Sequence, residues 1–203
     1  RFTADAAHEL RTPIAAIRMQ AQVAQGATQD EERRAALDAT IAGCDRATRL
    51  VDQLLQLARL EADAVDIQPA AGRDIPTDLT AVAARLVREL SDAARARGQQ
   101  IRLECPPRPV DVPMSAALAA VLLRNLLDNA LRYGPDGGKV AVQLLPAQAT
   151  HGVRLCVEDA GPGLSDADLA RLGERFFRVL GSGQSGSGLG WSIVRRLARL
   201  HAL

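Results

Sequence analysis

Apolar positions recur at spacings of three and four over the first sixty or so residues. Phe2, Ala6, Leu10, Ile14, Ile17, Ala21 and Ala24 form one stripe, and Leu37, Ile41, Cys44, Thr48, Val51, Leu55 and Ala58 form a second. That period lays each set on one face of an α-helix, so residues 1–27 and about 31–62 are predicted as helices. Gly26 to Asp30 is a short polar link with a glycine, which suits an antiparallel hairpin. Leu54 and Leu57 widen the second stripe. Two helices cannot bury both stripes against one another with nothing left over. A second copy of the hairpin supplies the missing layer, as a four-helix bundle formed by dimerisation; packing against the rest of the chain is the plainer alternative.

The pattern then changes. Residues 66–78 hold Pro69, Gly72 and Pro76 with little periodicity, which predicts a linker running into a short edge strand near Ile75. Beyond it, Leu79, Val82, Leu86, Val87 and Leu90 mark a helix ending near Gly98. Ile101, Leu103 and Cys105 alternate with Arg102 and Glu104 as a strand halted by Pro106, Pro107 and Pro109. Ser115 is placed to cap an oily helix reaching Tyr133. After a glycine-rich turn, Val140, Val142 and Leu144 alternate, as do Val153, Leu155 and Val157, predicting two antiparallel strands joined around His151 and Gly152. Residues 166–173 suit a short helix, Phe177 to Gly188 a mobile glycine- and serine-rich segment, and Leu189 to Leu200 a closing amphipathic helix. The second domain is therefore expected to be α+β, with helices on one face of a small sheet.

Composition narrows the class. Of 203 residues, 47% are hydrophobic and 24% charged, a globular balance. The net charge of +1 gives no support to nucleic acid as the main partner, because a phosphate tracker carries a large basic excess. Cys44, Cys105 and Cys156 are odd in number and widely spaced, which argues against a disulfide framework or a metal knuckle and for a reducing compartment. No apolar run approaches the ~20 residues of a membrane span, and no signal-peptide pattern is present. The chain opens at Arg1 directly into patterned sequence, so it is expected to be a piece of a longer protein, whose remainder can include a membrane segment.

Three clusters carry candidate chemistry. His8 lies two positions beyond Ala6, about 200° around the helix from the apolar stripe, and so points to solvent. Glu9 is its neighbour and Thr12 lies one turn on. An exposed imidazole beside a carboxylate can be a nucleophile that passes its proton to that carboxylate, or simply a surface histidine. Pro13 leaves the Glu9 carbonyl without its helical partner, which bends one helix or separates two; the pattern continuing through Ile17 and Ala21 favours the single bent helix. Asn125 and Asn129 sit four apart in the oily helix, with Arg124, Asp128 and Arg132 nearby. Buried amides are costly without partners, so the pair either borders a polar ligand or metal ion or is satisfied by neighbouring backbone. Asp159, Gly161 and Gly163 follow a strand directly, and Gly186, Gly188 and Gly190 lead into the last helix. An aspartate can accept from an exocyclic amine, and glycines before a helix N-terminus offer N–H groups to phosphate. A tight turn explains the first cluster about as well, but the three together point to a nucleotide pocket.

The motifs resemble those of two-component sensor histidine kinases. "FTADAAHELRTP" (Phe2–Pro13) resembles the phosphoacceptor box, "NLLDNALRYGP" (Asn125–Pro135) the N box and "EDAGPGL" (Glu158–Leu164) the first glycine box. "ERFFR" (Glu174–Arg178) resembles the F box and "GSGLGWSIV" (Gly186–Val194) the second glycine box. The five stand in the family's order and cover nearly the whole chain; the opening stretch looks most like receptors of the quorum- and polymyxin-sensing kind. The resemblance implies an all-α dimerisation and phosphotransfer hairpin over residues 1–65, a linker over 66–78, and an α+β two-layer sandwich of the GHKL ATP-binding type over 79–203. It implies His8 as the phosphorylated nucleophile through Nε2, Glu9 as its acid/base partner, and Thr12 as the residue that orients water or the regulator's aspartate. Asn125 would ligate the Mg²⁺ that bridges the ATP phosphates, with Asn129 and Arg132 near phosphates or ribose. Tyr133 would lie against adenine and Asp159 would accept from its amine, with Gly161 and Gly163 shaping that wall. Gly186, Gly188, Leu189 and Gly190 would border the phosphates, and Phe176 and Phe177 would anchor the near end of a lid.

The implied partners are a second copy of the hairpin and the receiver domain of a response regulator. The implied location is the cytoplasmic portion of a bacterial inner-membrane sensor, with membrane contact only through segments absent from this sequence. Since His8 and the nucleotide residues belong to different domains, catalysis would need the ATP domain to swing across the linker. Two departures stand out. Trp191 replaces the family's usual leucine. The family also usually continues into two more strands beyond "LARLHAL", so the sheet is expected to lack its last hairpin. Two other readings share parts of this evidence: a dimeric scaffold with an inactive ATP domain that only docks a regulator, and a GHKL ATPase of the chaperone or mismatch-repair type, which leaves the helix bearing "HELRTP" unexplained.

Overall fold

The structure, a computed structural model, describes residues 2–62, 76–146, 153–174, 176–179 and 187–201. It divides into two compact units, Arg1–Ala62 and Asp63–Leu203. The first is a hairpin of α1 (Phe2–Gly26) and α2 (Asp30–Ala62). Pro13 lies inside α1, which is one helix from end to end. At the connection, Arg33 Nη2 donates to the Ala27 carbonyl at 2.9 Å while its Nη1 binds Asp30 Oδ1 at 2.8 Å. Asp30, Glu31 and Glu32 occupy the first turn of α2, where the helix dipole favours negative charge.

The seam of the hairpin differs from the predicted stripe. On α2 the buried positions are Ala36, Gly43, Leu50 and Leu54, largely a seven-residue repeat, with small residues at the first two and leucines at the last two. A Cβ at Gly43 would stand 2.7 Å from Ile17 Cγ1, so glycine lets the two helices approach closely there. Leu37, Ile41, Cys44, Thr48, Val51, Leu55 and Ala58 all remain exposed. Burial within one hairpin consumes this narrow face and leaves the broader apolar face of α2 uncovered, together with Ile14 of α1, which is 57% exposed.

The second unit comprises β1 (Thr77–Asp78), α3 (Leu79–Ala96), β2 (Gln100–Glu104), β3 (Asp111–Val112), α4 (Ala116–Tyr133), β4 (Lys139–Pro146), β5 (Val153–Glu158), α5 (Asp166–Arg171) and α6 (Gly190–Leu200). β2 and β4 pair in parallel, Gln100 opposite Lys139 through Glu104 opposite Gln143. β4 and β5 pair antiparallel, Ala141 opposite Glu158 through Pro146 opposite Val153. Strand alternation buries Val140, Val142 and Leu144 on one face of β4. α3 lies on β2, α4 on β4 and β5, and α6 against α4, which gives the expected α+β layers. Leu86, Leu123, Leu127, Ile193 and Leu197 fill the core between them. As expected, Ser115 caps α4, its Oγ accepting from Leu118 N at 3.3 Å. β1 begins two residues beyond Ile75, close to the short edge strand predicted at the end of the linker, but its pairing with β3 was not legible, since two-residue strands carry no period. Ile75 and the β4–β5 connection around His151 lie outside the described residues. No helix among the described residues is long and apolar enough to cross a membrane.

Candidate functional site

Helix α4 and the start of α6 bring two predicted clusters together. Asn125 is buried, and its Nδ2 donates to the Val121 carbonyl at 2.8 Å, one turn back. That bond fixes the amide plane and turns Oδ1 the other way. A Cβ on Gly190 would stand 3.0 Å from Asn125 Oδ1 and 3.6 Å from Asn129 Nδ2, so the first residue of α6 faces both asparagines at close range. In Asn125 the amide nitrogen is thus satisfied by backbone, while the oxygen is turned toward Gly190. α6 has no side-chain cap at its N-terminus. Its N–H groups are the kind of donor that binds phosphate.

The second wall joins the end of α4 to the loop after β5. Gly161 N donates to Asp159 Oδ1 at 2.7 Å, which closes a tight turn. A Cβ on Gly161 would stand 2.9 Å from the Tyr133 carbonyl oxygen, so the turn packs directly on the backbone of Tyr133. Tyr133, Asp159 and Gly161 are thus brought together from separate elements, with Asp159 exposed and Tyr133 half-buried. Gly163 faces open space, and Asn129 and Arg132 are half-buried on α4.

The segment before α6 is pinned at both ends. Phe176 N donates to the Gly188 carbonyl at 3.2 Å. Gly188 has φ +68°, and a Cβ there would meet the Phe176 backbone at 2.6 Å. Phe176 itself has φ +62°, uncommon for a bulky residue. The guanidinium of Arg171 sits over the Phe177 ring, 4.3 Å from its centroid. Leu189 is fully buried; its N–H donates to Ser187 Oγ at 3.2 Å and its carbonyl accepts from Ser192 Oγ at 2.7 Å. These bonds fix the first turn of α6. Gly186 lies outside the described residues, as do residues 180–186 generally.

On the hairpin, α1 carries His8, Glu9 and Thr12 in one continuous helix, with Thr12 exposed; the side chains of His8 and Glu9 lie outside the described residues. Among the described residues no three His, Cys, Asp or Glu side chains gather to hold a metal. The amide oxygen of Asn125 is a hard donor compatible with Mg²⁺, which draws much of its shell from phosphate and water. Sequence reasoning missed Gln99 and Arg97, which bind the carbonyl end of α4 from the α3–β2 turn; a polar residue beside a glycine carries no periodic signal.

Comparison with known proteins bears on both units. Residues 1–63 match the family described as the His Kinase A (phospho-acceptor) domain, and residues 116–202 match the histidine kinase-, DNA gyrase B- and HSP90-like ATPase family. The chain is 43% identical over 204 residues to the sensor protein QseC of Salmonella typhi, covering 100% of this chain and 43% of that protein. Among solved structures it is similar to the mycobacterial sensor histidine kinase MprB, with 31% identity, a TM-score of 0.53, and coverage of 63% of this chain and 79% of that one. It is also similar to the cytoplasmic segment of histidine kinase QseC, with 32% identity, a TM-score of 0.50, and coverage of 77% and 80%.

Proposed function

The chain belongs to the family of two-component sensor histidine kinases, and from that premise we propose that it is the kinase core of a larger membrane-anchored sensor. It takes a phosphoryl group from Mg²⁺-ATP onto His8, passes it to an aspartate on a response regulator, and dephosphorylates that regulator. The observation that carries the nucleotide half is the meeting of Asn125 and Asn129 with Gly190 at an uncapped helix N-terminus. Phosphoryl transfer is mostly positioning and charge neutralisation, and this arrangement is suited to both.

Asn125 Oδ1 would hold the metal ion, and the N–H groups of α6 would receive phosphate oxygens. Mg²⁺, when bound, neutralises charge on the phosphates. Asp159 would accept a hydrogen bond from the adenine amine, with Tyr133 and the Gly161 turn forming the wall, while Asn129 and Arg132 approach ribose or phosphates. Phe176 and Phe177 hold the near side of the segment before α6. His8 would form the new N–P bond through Nε2 as the bond to the departing nucleotide breaks, with Glu9 taking the ring proton. Thr12, one turn on and exposed, would orient water, or the regulator's aspartate, in the hydrolysis that dephosphorylates the regulator. His8 stands in one compact unit and the nucleotide residues in the other, so the reaction requires the two to meet.

The exposed face of α2 from Leu37 to Leu55 supports a homodimer through the hairpin, because a continuous apolar stripe of this length is what a four-helix bundle buries. Placement on the cytoplasmic side of a bacterial inner membrane accompanies this reading.

Incubation of the chain with radiolabelled ATP and Mg²⁺ tests it. The expected result is an acid-labile, base-stable label that disappears in His8→Gln. A chain that binds ATP and never acquires the label on this ring is instead a dimeric scaffold that docks a regulator.

A further inference from the structure

Gln99 stands between α3 and β2 and is 1% exposed. Its Nε2 donates to three backbone carbonyls, Leu131 at 2.9 Å, Gly134 at 3.2 Å and Pro135 at 3.1 Å. An amide nitrogen has two hydrogens, so the three oxygens share them. Its Oε1 is buried without a hydrogen-bond partner among the described residues. An apolar side chain of the same length would fill the space without burying an orphan oxygen. Space-filling therefore does not explain the amide, but the donor does.

A helix leaves its last carbonyls without partners of their own. Gln99 collects those of Leu131 and Gly134, which flank Tyr133 on either side. Arg97 reinforces the clamp: its Nη1 donates to the Leu131 carbonyl at 2.5 Å and its Nε to Asp136 Oδ1 at 2.9 Å. The carbonyl of Tyr133 itself is the oxygen on which Gly161 packs. The clamp thus acts on the backbone either side of the residue that forms the wall.

We propose that Gln99 is a positioning residue for nucleotide recognition: by holding the backbone on both sides of Tyr133, it sets the gap between the end of α4 and the Asp159–Gly161 turn in which adenine lies. The inference rests on the reading of Tyr133, Asp159 and Gly161 as the adenine wall. It places Gln99 in the control of base binding while leaving the Asn125–Gly190 side untouched.

The test compares ADP with inorganic triphosphate, both with Mg²⁺, on the full chain. Gln99→Met keeps length and burial and removes the donor. It is expected to weaken ADP binding about tenfold, equivalent to about 1.4 kcal/mol, and to change triphosphate binding by less than about twofold. Gln99→Lys, which restores donors, is expected to hold ADP within about threefold of the parent. Equal loss of both ligands in Gln99→Met would mean a general structural role and would overturn the proposal. So would parental ADP binding in Gln99→Met while Asp159→Ala loses it, a result that leaves the adenine wall intact. If Asp159→Ala also binds ADP normally, or the parent does not bind it, the adenine-wall reading itself fails and the proposal with it. Should Gln99→Met not fold, selective loss of ADP by a folded Gln99→Lys overturns the proposal on its own.

Discussion

Replacing Gly161 with alanine probes the contact that joins the two halves of the nucleotide wall. The new Cβ would stand 2.9 Å from the Tyr133 carbonyl oxygen and 2.6 Å from Asp159 Oδ1. The first of these is about 0.5 Å short of an ordinary carbon–oxygen contact, and it involves backbone, which cannot swing aside as a side chain can. Overpacking of this kind costs about 1–3 kcal/mol. Alanine recovers about 0.4–1 kcal/mol by restricting the unfolded chain. The clash wins, leaving a net cost of about 1–2 kcal/mol. If the cost falls on the ligand-ready arrangement, ADP affinity drops about 5–30-fold; if it falls on the whole unit, the melting temperature drops by about 2–8 °C. Titration calorimetry with Mg²⁺-ADP and a scanning melt of the same sample measure the two together. An ADP affinity within twofold of the parent and an unchanged melt would show that Gly161 is not packed on Tyr133 as described.

Asn125→Ala removes the oxygen facing Gly190 and should lower autophosphorylation on the order of 10²–10³-fold; phosphotransfer from already labelled His8 should persist, and loss of both steps would mark Asn125 as structural. Ile41, 61% exposed on α2, is expected at the dimer seam. Ile41→Glu takes about 1.5–3 kcal/mol of apolar burial from each copy, so light scattering after gel filtration should find monomer at concentrations where the parent is dimeric. Burial pushes the Cys156 thiol up, and the neighbouring Glu158 carboxylate adds to the shift. Less thiolate is then present at any given pH, so iodoacetamide at mildly alkaline pH should label Cys156 more slowly than a free cysteine, and Glu158→Gln should speed it.

Much of the architecture was readable because it rests on local periodicity. The three-and-four spacing located α1 and α2 to within a few residues, strict alternation located β2, β4 and β5, and Ser115 marked the start of α4 through a cap that acts within one turn. A short edge strand was expected near Ile75, but its pairing with Asp111–Val112 escaped for the same reason: two residues contain no period. Asn125, Asp159, Gly161 and Gly190 could be singled out as candidates because their types limit what chemistry they can do.

What the linear order could not determine is which groups meet. Periodicity showed that α2 is apolar over a broad face, but only packing decided that Gly43 meets Ile17 of α1 while Leu37, Ile41 and Leu55 stay outside; close approach depends on side-chain volume across a pair of helices. Likewise, Asn125 and Gly190 are 65 positions apart, and nothing in either neighbourhood states that one faces the other. The clamp at Gln99 is the clearest case: a glutamine's identity is silent until three carbonyls from a distant helix end converge on its amide. Local patterns are written by the backbone's own hydrogen bonds, which link near neighbours, whereas a site is assembled by burial, which has no regard for distance along the chain.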